Sequence, residues 1–242
     1  MFDLKYLNQS VMRDETIVCD WDGVIQLIDY KWGQKIYNER EYFKDFFDID
    51  KLITDGQYDK EKIRNREIYD IKTWLAKPNV ELTKEAYDKY MNLYLGDNDY
   101  YKDLPFLIMA KSLKELSEQK FVKKIVFLSH APINVETDHR KLPIAEKIFN
   151  VGKKGSKFEL AVIHGNMLKS EFINKYYPNY TAFIDDRSDI IREVIKNTDS
   201  ESKSFILPFF YYNKELGLDR EYIIKCQRKG ITISTYSNDI IG

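Results

Sequence analysis

Cysteine is nearly missing from this chain: Cys19 and Cys226 are the two in 242 residues. Two thiols make no disulfide framework, and Cys19 sits inside an apolar run, so a reducing, cytoplasmic setting is expected. A charge excess is lacking too. Lys plus Arg number 38 and Asp plus Glu 39. No bulk basic field therefore argues for general nucleic-acid binding, and any polyanion site must be local. No run approaches the roughly 18 apolar residues of a membrane span. The amino terminus, MFDLKYLNQSVMRDE, has early acids and no unbroken apolar stretch, so it does not read as a secretory signal. His130, His139 and His164 show no metal-ligand spacing and have no cysteine cluster near them, which leaves no case for zinc. Glycine is also sparse, at ten residues. What remains, 43% hydrophobic and 32% charged, is the composition of a soluble globular protein of one large domain or a core with an insert.

The apolar runs give the architecture. TIVCD (16–20), KIVFLS (124–129), ELAVIHG (159–165) and TAFIDD (181–186) read as buried parallel strands, and KSFILPFF (203–210) as a fifth. Between them PFLIMAKSLKELSEQ (105–119), KLPIAEKIFN (141–150), NMLKSEFINKYY (166–177) and SDIIREVIKN (188–197) have helical periodicity. This alternation predicts an α/β fold, a Rossmann-like parallel sheet flanked by helices, with ligands at the carboxyl ends of the strands. From Gln26 to Asp103 the alternation stops. That interval shows no convincing strand and reads as three helices, EYFKDFFDIDKLI, DKEKIRNREIYDIKTWLA and TKEAYDKYMNLYL, broken near Gly56 and Lys77-Pro78-Asn79. The expected organisation is a core of residues 1–25 and 104–242 with a helical cap, 26–103, inserted after the first strand. The carboxyl-terminal segment is read as a further helix (DREYIIKCQRK) and an edge strand (ITIST).

The strand ends carry the chemistry. Asp20 and Asp22 close the first strand, Ser129 the second, and Asp185 and Asp186 the fourth, while Lys169 opens the helix after the third. In a parallel sheet these groups gather at one edge. Carboxylates crowded there repel unless a cation relieves them. With a hydroxyl and an ammonium beside them they suit Mg²⁺ and a phosphate. Asp20 is placed to attack phosphorus, and Asp22 to protonate the leaving oxygen and later deprotonate water. Ser129 and Lys169 would neutralise the transferring phosphoryl group. Lys175 is a rival for the lysine's place. His130, next to Ser129, could line the phosphate pocket or serve packing, and Arg187 could reach phosphate or pair with Asp189.

The order DWDGV, FLSHAP, a helix-opening lysine and FIDDR resembles the haloacid dehalogenase-like superfamily of phosphohydrolases over residues 16–30 and about 105–210. DxDGV with IDDR is similar to the 5′(3′)-deoxyribonucleotidases, and IDDR-type endings also occur in the phosphatase half of phage polynucleotide kinases. The resemblance implies Asp20 as nucleophile and Asp22 as acid/base, with the Asp22 backbone carbonyl also on Mg²⁺. It implies Ser129 and Lys169 on phosphate, Asp186 on the metal, and Asp185 supporting it. The insert resembles a cap that closes over small substrates. SHAP, where the nucleotidases carry a Thr-Ser-Pro-like segment, and the basic turn GKKGSK (152–157) depart from the pattern.

The expected function is a Mg²⁺-dependent phosphomonoesterase acting on a nucleoside monophosphate or a similar small ester. Two other readings stand beside it. One is a nucleic-acid end-processing phosphatase with Lys153, Lys154 and Lys157 as a basic rim. The other is a non-catalytic binding module, against which the presence of both Asp20 and Asp22 argues. The aromatics at the start of the insert read first as its own core; of these, Trp32 and Phe43 are the candidates to stack on a substrate base.

Overall fold

The computed structural model describes residues 15–131, 138–210 and 220–237. In chain order the elements begin with β1 (Glu15–Asp20), α1 (Ile28–Asn38), α2 (Arg40–Phe43), β2 (Ile53–Thr54), β3 (Gln57–Tyr58), α3 (Lys60–Arg64), α4 (Ile71–Leu75) and α5 (Lys84–Leu95). There follow α6 (Ile108–Ser117), β4 (Val122–Ala131), α7 (Asp138–Phe149), β5 (Phe158–His164), α8 (Lys169–Tyr176) and β6 (Ala182–Ile184). The chain continues with α9 (Ser188–Asn197), β7 (Ser204–Phe209), α10 (Arg220–Gln227) and β8 (Thr232–Ser237). Six strands form one sheet in the order β5-β4-β1-β6-β7-β8, and every neighbouring pair is parallel. The fold is the expected α/β sheet, with β8 as the edge strand at one side.

Period-two alternation divides the core between the two faces. Ile17 and Cys19 of β1 pack with Ile125 and Phe127 of β4 against α6 and α7, through Leu113, Leu116, Ala145 and Phe149. Val18, Val126, Leu128 and Phe183 face the other way, onto α8 and α9, through Ile173, Ile191 and Val194. The α9 sequence SDIIREVIKN buries Ile191 and Val194, three residues apart on one side of the helix. With apolar residues covered on both faces, the strands read as continuous hydrophobic runs.

The insert is helical but more broken than its periodicity suggests, and it has a helix and a hairpin that the sequence reading did not assign. Ile28–Asn38 is an eleven-residue helix. Residues 53–58 form a two-residue-loop hairpin about Asp55 and Gly56, at φ 50° and 78°. Both central residues at positive φ is the geometry that Asp-Gly favours in such loops. The segment 41–53 does not run as one helix. Instead Asp48 N donates to Leu75 O at 2.7 Å and Lys77 N to Phe46 O at 3.0 Å, so tertiary pairing wins over local propensity. The segment 59–76 breaks at 65–70, where the buried Arg66 guanidinium donates to Ile63 O at 2.9 Å and to Tyr69 O at 2.9 and 3.0 Å. Asp59, Asp70 and Thr83 cap the helices that follow them. The insert has its own core, which includes Ile36, Phe43, Phe47, Leu52, Ile63, Leu75 and Tyr90.

At the neck of the insert the chain leaves and returns side by side: Leu107 N donates to Ile25 O at 2.9 Å. Gln26, fully buried, ties both ends. Its Oε1 accepts from Trp21 Nε1, and its Nε2 donates to Tyr101 O and Leu104 O, each at 3.1 Å. Among the described residues no helix is long and apolar enough to cross a membrane.

Gln26→Leu removes all three bonds and leaves a buried indole N–H and two carbonyls without these partners. We expect a loss of about 3 kcal/mol of stability, at 1–3 kcal/mol for each buried group left unpaired less the gain from the apolar side chain. Urea denaturation measures it, and a loss below about 1 kcal/mol would mean the neck is held otherwise.

Candidate active site

The register of the sheet assembles the site. Cys19 lies opposite Phe127 of β4 and Ile184 of β6. The next residues along therefore set Asp20 beside Leu128 on one side and Asp185 on the other, with Ser129 one step further out. In DWD, alternation sends Trp21 inward, fully buried, with its ring edge-on to Phe127 at 5.1 Å and Phe149 at 6.1 Å. A core anchor thus sits between the two acids. After it, Ile25 N donates to Trp21 O at 2.8 Å and Gly23 N to Gln26 O at 2.8 Å. This tight turn needs Gly23 at φ +76°, and a Cβ there would overlap the Asp186 carboxylate.

Two lysines organise the carboxylates. Lys169 Nζ lies 2.9 Å from Asp20 Oδ1 and 2.7 Å from Asp185 Oδ2, and it is almost wholly buried. Asp185 Oδ1 accepts from Arg187 N at 3.0 Å, so both its oxygens are engaged. Burial alone would lower the Lys169 pKa, but Asp185 and Asp20 together hold it well above the usual lysine value, so it stays an ammonium. Burial pushes the Asp20 pKa up, and Lys169 opposes that. The second lysine, Lys141 on α7, places Nζ 2.6 Å from Asp22 Oδ2 and donates to Ser129 Oγ. It is fully buried, with Nζ 4.9 Å from the centre of the Tyr101 ring. Burial raises the Asp22 pKa and Lys141 pulls against it.

Asp20, Asp185 and Asp186 each present an oxygen, all within 4.8 Å of one another and all buried. With Lys169 counted, this cluster keeps a formal excess of two negative charges. That excess matches one divalent cation, and carboxylate oxygens are the ligands Mg²⁺ prefers. The space that Gly23 leaves beside Asp186 fits the same group.

Of the residues singled out in the sequence, Asp20, Asp22, Ser129, Lys169, Asp185 and Asp186 come together. His130 does not join them. It is exposed and pairs through Nε2 with Gly165 O at 2.7 Å, on the opposite side of β4 from Ser129. Lys175 is exposed on α8, away from the lysine's place that Lys169 fills. Phe43 is fully buried in the insert's core, stacked on Phe47 at 5.4 Å, and offers no face to a substrate. Trp32 is stacked between Tyr90 at 4.9 Å and Tyr94 at 5.2 Å, so both its faces are engaged inside the protein. Lys153, Lys154 and Lys157 precede β5 at the amino ends of the strands, the pole opposite to Asp20 and Ser129. They form no rim for this site. Arg187 turns to Asp189, with Nε 3.1 Å from Oδ1.

Sequence reasoning missed Lys141. The signal was there: it opens the first turn after the Ser129 strand as Lys169 opens the helix after β5.

No family model matches this chain, and no curated protein matches it. A solved structure described as a haloacid dehalogenase-like hydrolase, from Burkholderia xenovorans LB400, is similar with a TM-score of 0.46 and 13% identity, over 91% of this chain and 94% of that one. A likeness of that size carries no chemistry, which has to come from the residues themselves.

Addition of Mg²⁺ should raise the melting temperature of the wild type, since a ligand at a hundredfold excess over its Kd adds about 2.7 kcal/mol. Asp186→Asn and Gly23→Ala should each remove most of that rise. Scanning fluorimetry with and without the ion measures it, and an equal rise in all three proteins would put the cation elsewhere.

Proposed function

We propose that this chain is a haloacid dehalogenase-like phosphohydrolase: a Mg²⁺-dependent phosphomonoesterase that works through an aspartyl-phosphate on Asp20 and acts on a nucleoside monophosphate or a similar small ester. The observation that carries the reading is the pairing of two buried half-sites at one sheet edge. Asp20, Asp185, Asp186 and Lys169 make a cation and nucleophile half. Ser129, Lys141 and Asp22 make an anion and proton half.

The residues divide the reaction between them. A carboxylate oxygen of Asp20 bonds to phosphorus as the bond to the leaving oxygen breaks, and Asp22 gives that oxygen a proton. The raised Asp22 pKa favours the acid form that this step uses. Asp22, then a carboxylate beside the Lys141 ammonium, takes a proton from water. The water oxygen bonds to phosphorus, the link to Asp20 breaks, and inorganic phosphate leaves. Lys169 keeps Asp20 ionised and fixes its orientation. Because Lys141 donates to Ser129 Oγ, the hydroxyl proton is turned toward a phosphoryl oxygen. Mg²⁺, held by Asp20, Asp186 and the Asp22 carbonyl with Asp185 behind them, would supply charge neutralisation at the phosphoryl oxygens.

The small-substrate reading is supported by the insert, which contributes Tyr101 beside the Lys141 ammonium. The end-processing alternative had the 152–157 lysines as its support, and these lie at the far pole of the sheet.

Phosphate release from a panel of nucleoside monophosphates, sugar phosphates and p-nitrophenyl phosphate, with and without Mg²⁺, tests the reading. No release from any of them by the wild type would overturn it in favour of a non-catalytic module. Asp20→Asn should lose several orders of magnitude in turnover while keeping its melting temperature, since an amide forms no acyl-phosphate. Near-normal turnover in that variant would name the wrong nucleophile. Lys141→Met should lower kcat by about 10²-fold or more, the scale for removing one preorganised donor from a charge-stabilising site. A loss in KM alone would leave Lys141 a substrate anchor.

A further inference from the structure

The mouth of the site carries an aromatic that the mechanism does not use. Tyr69 sits on the 65–70 turn of the insert, between α3 and α4, next to Ile68. Both side chains are large and exposed, at 37% and 44%. Exposed apolar groups beside a cluster of buried carboxylates call for a function. The turn is held rigidly. Arg66 is buried beneath it, paired with Asp29, and donates to the Tyr69 carbonyl through Nε and Nη2 at 3.0 and 2.9 Å. On the ring itself lies a core residue: the Arg187 guanidinium, 4.9 Å from the ring centre. Arg187 is in turn fixed by Asp189 and stands one residue after Asp186. The hydroxyl end points into the site, since burial first and then Asp186, Asp29 and Asp20 push its pKa up. The ring therefore reaches from the nucleophile and metal carboxylates outward to solvent, along the route that a leaving group must occupy.

We propose that Tyr69, backed by Arg187, is the specificity-determining contact of this site, and that it selects phosphate esters whose leaving group carries a flat ring, as an aryl alcohol or a nucleoside does. This deepens the phosphomonoesterase reading and rests on it. Tyr69 takes the role first assigned to Trp32 and Phe43, whose faces are covered inside the protein. A preorganised ring loses little conformational freedom on binding, and a guanidinium behind it strengthens the stack without competing for the free face.

The experiment compares phenyl phosphate with acetyl phosphate, which has no ring, as substrates of the wild type, Tyr69→Ala, Tyr69→Phe and Arg187→Ala. Tyr69→Ala should lower the ratio of kcat/KM for phenyl phosphate over acetyl phosphate by about tenfold or more, chiefly through KM, the scale of one base–aromatic stack. Tyr69→Phe should keep the ratio within about twofold because the ring remains, and Arg187→Ala should lower it by a smaller factor than Tyr69→Ala. An unchanged ratio in Tyr69→Ala, or Tyr69→Phe as poor as Tyr69→Ala, overturns the proposal. If Tyr69→Ala fails to fold, Tyr69→Leu gives the same ratio test. A wild type that hydrolyses neither ester refutes the phosphatase reading itself, whereas one that hydrolyses both with a ratio indifferent to Tyr69 refutes only the assignment of specificity.

Discussion

Everything at the site depends on one ammonium shared by two carboxylates. Lys169 holds Asp20 and Asp185 at 2.9 and 2.7 Å where neither would stay ionised alone. Burial of that many acids is unfavourable unless the charges are paired and hydrogen-bonded. Lys169 meets half the need, and the excess that it leaves is what a divalent cation would take up. The same logic recurs across the sheet, where Lys141 binds Asp22 and Ser129. The site is thus built of two lysine-centred clusters, one on α8 and one on α7, each reaching back to the β1 end.

The position of these clusters follows from β1 lying inside the sheet, between β4 and β6. Asp20 has a neighbour strand on either side, so Ser129 and Asp185 are brought to it by register alone. The turn after it is fixed by Trp21 packing inward and Gln26 binding the neck. Chemistry and core packing alternate residue by residue in this stretch.

The core fold was legible in the sequence because each strand is a continuous apolar run and each helix has one buried side; SDIIREVIKN is helical over the span its pattern indicates. The acids, Ser129 and Lys169 were legible because each stands at the end of a run. The insert was less so. Its segments are short and stabilised by contacts distant in sequence, such as Phe46 and Asp48 with Lys77 and Leu75, and periodicity cannot register such pairs. Lys141 and Arg66 look like solvated helix residues in sequence. Only the folded chain reveals that both are buried. Trp32 and Phe43 were misleading for the opposite reason, since an aromatic's type does not say which way it faces.

The neck has a consequence for how such a molecule can change. The chain enters and leaves the insert at two adjacent backbone points, Ile25 and Leu107, already joined by a hydrogen bond. Lengthening a loop whose ends are held together adds little entropic cost, about 0.6 kcal/mol for each doubling. The insert can therefore grow, shrink or be exchanged as a cassette, with its own core to stabilise it, while the sheet edge beneath keeps its geometry. Substrate range and catalytic chemistry become separately heritable.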